Sequence, residues 1–457
     1  MRSESVGGIK GYRALASMVT GERILVLGLM TVLALGCITG CPEAREGAAG
    51  VPSGALVPGR RVRGASFLGT EVMGLPTGTT LTPDAAPGAQ LLPLALRLPS
   101  GAVLPLGGAS ASALSPDGRT LLVLTSGFNR MYDAEGDVIP ETSGEYVFVY
   151  DVSGSWPCET QAIAVPNSFV GLVFDPRGDR FFVSGGPDDA VHEVTRSHEG
   201  PWVLRMPPIP LGHRDSRGLG GLGIKVSPFV AGLATTASGG LVVAANHQND
   251  SLSVIDTQAR RVTAEIPLAP GQGVAGGEFP LGVAVVGEAR AYVVSQRDRE
   301  VVEVDLALRK VARRIKVGGE PTELVANRAG TRLYVANANS DTVSVVDVAA
   351  GAVLHDIRTS APEGSRAVAL RGSNPNALAL SPDERTLYVT NGGNNTLAVV
   401  ALGSRDTGGD AASDDGERSR LRGLVPTGYY PTAVSVSADG RVLYVPYAKT
   451  PSGPNPA

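Results

Sequence analysis

Residues 330–347 read Gly-Thr-Arg-Leu-Tyr-Val-Ala-Asn-Ala-Asn-Ser-Asp-Thr-Val-Ser-Val-Val-Asp. Leu333-Tyr334-Val335 is one short run of β-formers, and Val343, Val345 and Val346 anchor a second. Asn337 to Asp341 between them is a cluster of turn formers, so the stretch predicts a hairpin. A lone hairpin buries too little apolar surface to stand in water. This one has siblings.

The Leu-Tyr-Val pattern occurs seven times, centred on Leu122, Phe182, Val242, Tyr292, Tyr334, Tyr388 and Tyr444, with successive copies 60, 60, 50, 42, 54 and 56 residues apart. Strands that keep their pattern while the spacing varies imply loops of different length. An apolar run and a tight turn precede several copies, as in Leu114-Ser115-Pro116-Asp117-Gly118 and Leu380-Ser381-Pro382-Asp383. Proline followed by Asp or Gly presets a turn between neighbouring strands. A third run follows each hairpin tip (Tyr146 to Asp151, Leu252 to Asp256, Val301 to Asp305), and a weaker fourth follows in places (Val262 to Ile266, Val311 to Ile315). Seven repeats of four antiparallel strands predict an all-β fold, a seven-bladed β-propeller. The seventh copy holds just two strands, Ala433–Ser437 and Val442–Tyr447. N-terminal pieces, two among 71–75, 79–82 and 90–98, are expected to complete that blade and leave no free sheet edge.

Composition agrees. Gly (59) and Pro (33) are abundant, aromatics are 5%, and the net charge is −4 without a basic block, which argues against a nucleic-acid partner. At the N-terminus, Arg2, Lys10, Arg13 and Arg23 precede an apolar run from Ile24 to Gly36 that is short for a membrane span. This order reads as a secretory signal. Ile38-Thr39-Gly40-Cys41 resembles a bacterial lipobox, with Cys41 lipidated after removal of residues 1–40. Residues 41–60 then form a flexible tether, and 61–457 the propeller, with a polar insertion expected to be disordered at 403–420. The expected location is the bacterial cell envelope. Cys158 would be a passive thiol with no disulfide inside the mature domain.

Leu333-Tyr334-Val335-Ala336-Asn337 with Thr342 to Asp347 resembles the YVTN repeat of YncE-like β-propellers. Leu75 to Pro83, Glu145 to Asp151, Gly276-Gly277-Glu278-Phe279-Pro280, Ser295 to Val301, Asn374 to Ala379 and Gly428-Tyr429-Tyr430-Pro431 to Val434 are similar to the propeller half of a two-part bacterial family. In that family a phosphoesterase of the alkaline-phosphatase superfamily follows the propeller. No position in these 457 residues matches its catalytic half, so no nucleophile or metal ligand is carried over. The resemblance implies either a binding or scaffold module beside an enzyme, or the propeller half of a split phosphoesterase.

The chemistry-bearing residues are scattered. His192, His198, His213, His247 and His355 lack metal-ligand spacing; His247, in Asn246-His247-Gln248-Asn249-Asp250, is the most notable. Asp133, Glu135 and Asp137 alternate in a loop where calcium is conceivable, without the rest of a calcium-loop pattern. Asn246, Asn337 and Asn391 occupy corresponding places at hairpin tips, where Asx side chains stabilise turns. No cofactor is expected. A lactonase-like metal propeller would need carboxylates on the axial first strands, where Glu323 and Asn327 are the exceptions among small and apolar residues.

In a four-stranded blade, the loop leading into the first strand and the loop joining strands two and three lie on one face. The leading loops hold the least repeat-like residues: Phe169, Phe229, Glu278, Phe279, Glu320, Asn374, Asn376, Tyr429 and Tyr430. They crowd the mouth of the axial channel and are the candidate binding residues. For Phe169 and Phe279, wedging between blades is an equal expectation. The protein is expected to be a monomer, anchored by lipid, with an envelope protein or a phosphoesterase-type enzyme as partner.

Overall fold

A computed structural model describes residues 23–27, 73–74, 80–81, 86, 88–97, 101, 103–127, 129, 136–139, 143–197, 200–212, 227–269, 276–361, 371–407 and 418–449. Seven four-stranded blades form a β-propeller, with no α-helix among the described residues. Blade five contains the opening stretch and is the most regular. Pro321–Ala326, Arg332–Asn337, Thr342–Asp347 and Ala352–Arg358 pair antiparallel in chain order, from the axis outward. Its second strand is buried from end to end, and its fourth alternates between exposed and half-buried, with Ile357 alone in it buried. That is the gradient expected from an axial core to a solvated rim.

The first strands form the inner ring. Each contacts the first strand of the next blade, and the series closes from blade seven to blade one. Apolar layers fill the wedges between blades. Tyr334, Val343 and Val345 of blade five pack with Leu387, Val389 and Ala398 of blade six. Tyr292 and Val294 of blade four meet Leu333 and Val335 of blade five. The repeated Leu-Tyr-Val triplet serves both wedges, since successive strand side chains face opposite sides.

At the base of the propeller, the turn between strands one and two is left-handed in every blade, at Gly118, Gly178, Gly239, Gly287, Gly330, Glu384 and Gly440. Gly330 shows why glycine is favoured there: a Cβ would lie 2.4 Å from Val286 Cγ1 of blade four. The expected tight turns are present, Ser381-Pro382-Asp383 and Ser437-Ala438-Asp439 among them. Ser381 Oγ donates to Asp383 at 2.6 Å and Ser437 Oγ to Asp439 at 2.6 Å. These bonds and backbone N–H groups hold both carboxyls below the usual range.

The closure differs in part from expectation. Gln90–Leu92 supplies the outermost strand of blade seven, but Met73–Gly74 pairs with Thr80–Leu81, and Ala95–Arg97 with Val103–Pro105, as separate ribbons. The remaining place is taken by Arg23–Leu27, parallel to both Val442–Pro446 and Gln90–Leu92. A short, uniformly apolar run suits a central strand as well as a signal sequence, and periodicity cannot separate the two. At the seam to blade one, Tyr444 packs with Leu121, Val123 and Phe148, and polar bonds join the first strands: Thr432 Oγ1 donates to Ala109 O at 2.7 Å, and the hydroxyls of Ser112 and Ser435 lie 2.8 Å apart.

Cys158 is disulfide-bonded, which corrects the expectation of a passive thiol. The other two cysteines of the chain, Cys37 and Cys41, lie outside the described residues. The insertion at 403–420 also has an ordered part. Asp406 is buried, accepts from the N–H and Oγ of Ser419, and lies 3.2 Å from His355 Nε2. Asn327 donates to Thr407 O, and Tyr334 Oη to Asp406 O at 2.6 Å. Polar bonding to blade five holds this end down without an apolar anchor; residues 408–417 lie outside the described residues.

Tyr334→Phe keeps the ring in its wedge and leaves the Asp406 carbonyl without its buried donor. We expect a loss of about 1–2 kcal/mol in denaturant unfolding and faster proteolysis within 403–420. Unchanged stability and cleavage would show that the insertion does not depend on this bond.

Candidate functional site

The channel mouth is built from backbone geometry. Phe229, Phe279, Glu320, Asn374 and Tyr430 occupy equivalent places just before the first strand, all with φ between 50° and 62°. A left-handed residue other than glycine costs roughly 1–2 kcal/mol. Four of them precede proline (Pro280, Pro321, Pro375, Pro431), which favours extended backbone instead. Hydrogen bonds from both sides hold the conformation. The N–H groups of Phe229, Phe279, Asn374 and Tyr430 donate to the side chains of Asp189 (2.8 Å), Asp250 (3.0 Å), Asp341 (3.1 Å) and Asn395 (2.9 Å), each in the preceding blade. The carbonyls of Phe229, Phe279, Glu320 and Asn374 accept from His247, Gln296, Ala338 and Gly392 at the end of their own blade's second strand.

The turn residues Asp189, Asp250, Arg299, Asp341 and Asn395 are themselves left-handed. Their carbonyls accept from Leu211, Leu268, Val317, Thr359 and Thr427, just beyond the fourth strand. The four Asx turns therefore tie their blade's exit to the next blade's start, while the Arg299 turn holds its own blade's exit alone. The expectation placed the Asx role at Asn246, Asn337 and Asn391. Those side chains instead donate inward: Asn246 to Ser251 and Ser253, Asn337 to Thr342 and Ser344, Asn391 to Thr396 and the Thr359 carbonyl. The clasp belongs to the Asx immediately before the third strand, a regularity visible in Asp189-Ala190, Asp250-Ser251, Asp341-Thr342 and Asn395-Thr396 once blades are aligned. Blade one has a long loop at this place, and there Ser168 Oγ donates to Glu145 instead.

The nine candidates fall into separate neighbourhoods. Phe169, Phe229 and Phe279 converge around His247. Phe169 and Phe229 meet edge to face at 5.2 Å, and His247 lies 5.3 Å from Phe279. Phe169 wedges against the core between blades three and four. Phe279 is 38% exposed, an unusual state for a large apolar side chain. His247 Nδ1 lies 3.1 Å from the Pro280 carbonyl, which can accept and not donate, so Nδ1 carries the proton. Burial keeps this imidazole's pKa below its usual value and the ring neutral.

Glu278 sits beside this cluster, paired with Arg297 at 2.9 Å. Across the ring, Tyr429 and Tyr430 share Lys449, whose Nζ is 5.3 Å from each ring centre. Asn376 is consumed structurally: Nδ2 donates to Pro431 O and Oδ1 accepts from Thr390. Glu320 and Asn374 are half-buried members of the left-handed ring. Of the calcium candidates, Asp137 is exposed, and Asp133 and Glu135 lie outside the described residues. His198 and His213 lie outside them too. Among the described residues no group of three or more His, Cys, Asp and Glu side chains could hold a metal ion.

The chain is thus a β-propeller whose least regular residues ring one mouth of the channel. No family model matches it, and no curated protein matches it. Among solved structures it is similar to the hydrazine synthase of Kuenenia stuttgartiensis, at 18% identity over 62% of this chain and 94% of that one, with a TM-score of 0.38.

Two clasp residues with the same task differ in charge environment. Asp341 is desolvated, yet bonds from the backbone N–H groups of Gly372 and Asn374 and from Ser373 bring its carboxyl below the usual range. Asp250 has the single Phe279 N–H, with Glu278 and Asp298 nearby, and burial pushes its carboxyl up to about 6. A raised folded pKa means that Asp250's contribution is fully present below the unfolded value of about 4 and is lost as pH rises to about 6. Asp341 has the opposite sign: its contribution is present above about 4 and is lost as pH falls through its depressed pKa. Asp250→Asn keeps an acceptor and drops the charge, so it should stabilise by on the order of 1 kcal/mol at pH 7, allowing for solvent screening, and by nothing at pH 4. Asp341→Asn should destabilise by about 1–3 kcal/mol at pH 7. Melting curves at both pH values check this; destabilisation of similar size by both variants at pH 7 would contradict it.

Proposed function

We propose that this chain is a membrane-tethered binding or scaffold module of the bacterial cell envelope, which recruits a partner protein at the channel mouth and supplies no chemistry itself. The observation that carries the reading is Phe279. It stands exposed at a rigid left-handed position, backed by His247 and flanked by Phe229 and Phe169. Rigid aromatic anchors lose little entropy on binding and dominate interface energetics. The polar groups of the mouth, Asp250 beside Phe279 and Asp341, Asn395 and Asn376 farther round the ring, are already engaged in holding the blades, which favours docking over catalysis. The first partner to test is an envelope enzyme of the phosphoesterase type.

The tether rests on Cys41. Processing there removes Arg23–Leu27 and Cys37, and a lipidated Cys41 has no thiol left for Cys158. The lipidated form and the disulfide-bonded form are therefore different species of one chain. Intact mass of the membrane-extracted protein separates them. The proposal expects a chain starting at Cys41, heavier by its lipid, with a free Cys158 thiol. A chain that retains residues 1–40 with Cys158 bridged would sink the tether.

For the mouth, Phe279→Ser leaves the left-handed backbone and its clasp in place and removes the ring. Affinity capture from envelope extract should lose its specific partner at least tenfold, with melting temperature unchanged. Capture of the same partner in equal amount by both forms would count against this face.

A further inference from the structure

Below the mouth, the channel carries a different chemistry. At one level of the inner ring the first strands present Ala111, Gly171, Gly232, Gly282, Ala377 and Ala433, and in blade five Glu323. The other axial exception, Asn327, is fully engaged with Thr331, Arg332 and Thr407. Glu323 is not. Its Oε1 accepts from the N–H of Leu324 at 3.0 Å, and among the described residues no cation pairs with it. Space has been left for this side chain: a Cβ on Gly282 would lie 2.9 Å from Glu323 Oε1. Protein surrounds the carboxylate, yet the residue keeps a water-accessible fraction, as a group on a channel wall does. Burial pushes its carboxyl up to about 7, opposed by the Leu324 N–H. An enclosed carboxylate without a countercharge is costly unless something pairs with it.

Two further observations define what would pair. Carbonyl oxygens of Ala231, Leu281 and Thr322 crowd the glycines at the same level, within 2.2 to 2.9 Å of where a Cβ would stand. One negative charge with neutral oxygen acceptors matches a monocation; a divalent ion would leave a positive charge uncompensated. Toward the base, the axial strands of blades one, five, six and seven wall a cavity of about 500 Å³, where apolar side chains such as Leu114, Val325, Leu380 and Val436 share the lining with polar ones, Arg328 and Glu384 included. Val325 follows Glu323 by two residues on one strand. A bare alkali ion has no use for that wall, whereas an apolar tail does.

We propose that the base of the channel is a binding site for a primary alkylamine, whose ammonium group pairs with Glu323 and whose apolar body fills the cavity below. An ammonium carries three donors for the carboxylate and neighbouring carbonyls. Glu323 stands midway along the axial strand Pro321–Ala326 and the cavity at its base end, so the site lies below the mouth and takes a different ligand from the partner proposed there.

The test uses the full chain, with hexylamine, hexanol and potassium chloride as probes in calorimetry and thermal shift. Hexylamine should bind and raise the melting temperature in proportion to its concentration, while hexanol and potassium should bind at least tenfold more weakly. Glu323→Gln should lose at least tenfold in hexylamine affinity while melting at or above the wild-type temperature, since it removes an unpaired enclosed charge. Glu323→Asp, which keeps the charge and shortens the reach, should fall between the two; it decides the matter should the glutamine variant fail to fold. Equal binding of hexylamine and hexanol would reduce the site to an apolar hollow. Equal hexylamine affinity in wild type and the variants would overturn the role of Glu323.

Discussion

The structure depends on one small interaction repeated around a ring: an aspartate or asparagine side chain in a turn accepts the N–H that opens the next blade. Wedge packing between blades is apolar and non-directional, and by itself sets neither the angle nor the order of the blades. The clasp adds direction. It does so at the cost of left-handed backbone at Phe229, Phe279, Asn374 and Tyr430. That cost is roughly 1–2 kcal/mol each, against about 1.5–3 for a bond to a charged acceptor. The clasps of Asp189 and Asp341 therefore more than offset the strain, while Asp250, whose ionised form burial disfavours, and the neutral Asn395 at Tyr430 give a balance near zero. Tyr430 has further support in the Lys449 contact and in Gly392, where a Cβ would lie 3.0 Å from its ring.

This geometry accounts for where unusual side chains can stand. A residue whose backbone is gripped at both its N–H and its carbonyl is free to carry any side chain. Phe229, Phe279 and Asn374 are gripped at both groups, Glu320 through its carbonyl and Tyr430 through its N–H, and the ring holds these different side chains at equivalent places. Such positions are rigid and chemically unconstrained, a favourable combination for recognition. Lateral hydrogen bonds deeper in the channel complete the belt. Ser110 donates to Phe169 O, Thr322 to Pro375 O, Asn376 to Pro431 O, Thr432 to Ala109 O and His247 to Pro280 O. Each reaches the carbonyl of the blade that follows.

Much of the fold was legible because period and pattern coincide. Leu333-Tyr334-Val335 and its six siblings all became buried second strands, and the Pro-Asp turns appeared where proline and aspartate placed them. The closing strands were less legible. Short β-like pieces at 73–74 and 80–81 pair with each other, and nothing local in their sequence distinguishes a ribbon from a blade strand. The Cys158 disulfide was hidden because the other cysteines lie in a segment that also reads as a signal. At the mouth, the candidates were found by their departure from the repeat, and Phe169, Phe229 and Phe279 do converge. The clasp itself was misplaced by a few residues, onto Asn246, Asn337 and Asn391. An Asx-rich turn announces side-chain bonding without saying which Asx reaches the neighbouring blade. The burial of Asp406 escaped notice because its anchors, His355 and Tyr334, come from a different blade.

Hydrogen exchange resolved to single amides tests the clasp most directly. The N–H groups of Phe229, Phe279 and Asn374 precede their first strands, that of Tyr430 lies inside Tyr429–Pro431, and all four donate to a side chain of the preceding blade rather than to their own blade's ladder. If the clasp orders the propeller, they exchange as slowly as the strand amides of Val335 and Val389, and together with them. Exchange at the rate of unstructured peptide, while those strand amides stay protected, would contradict the account.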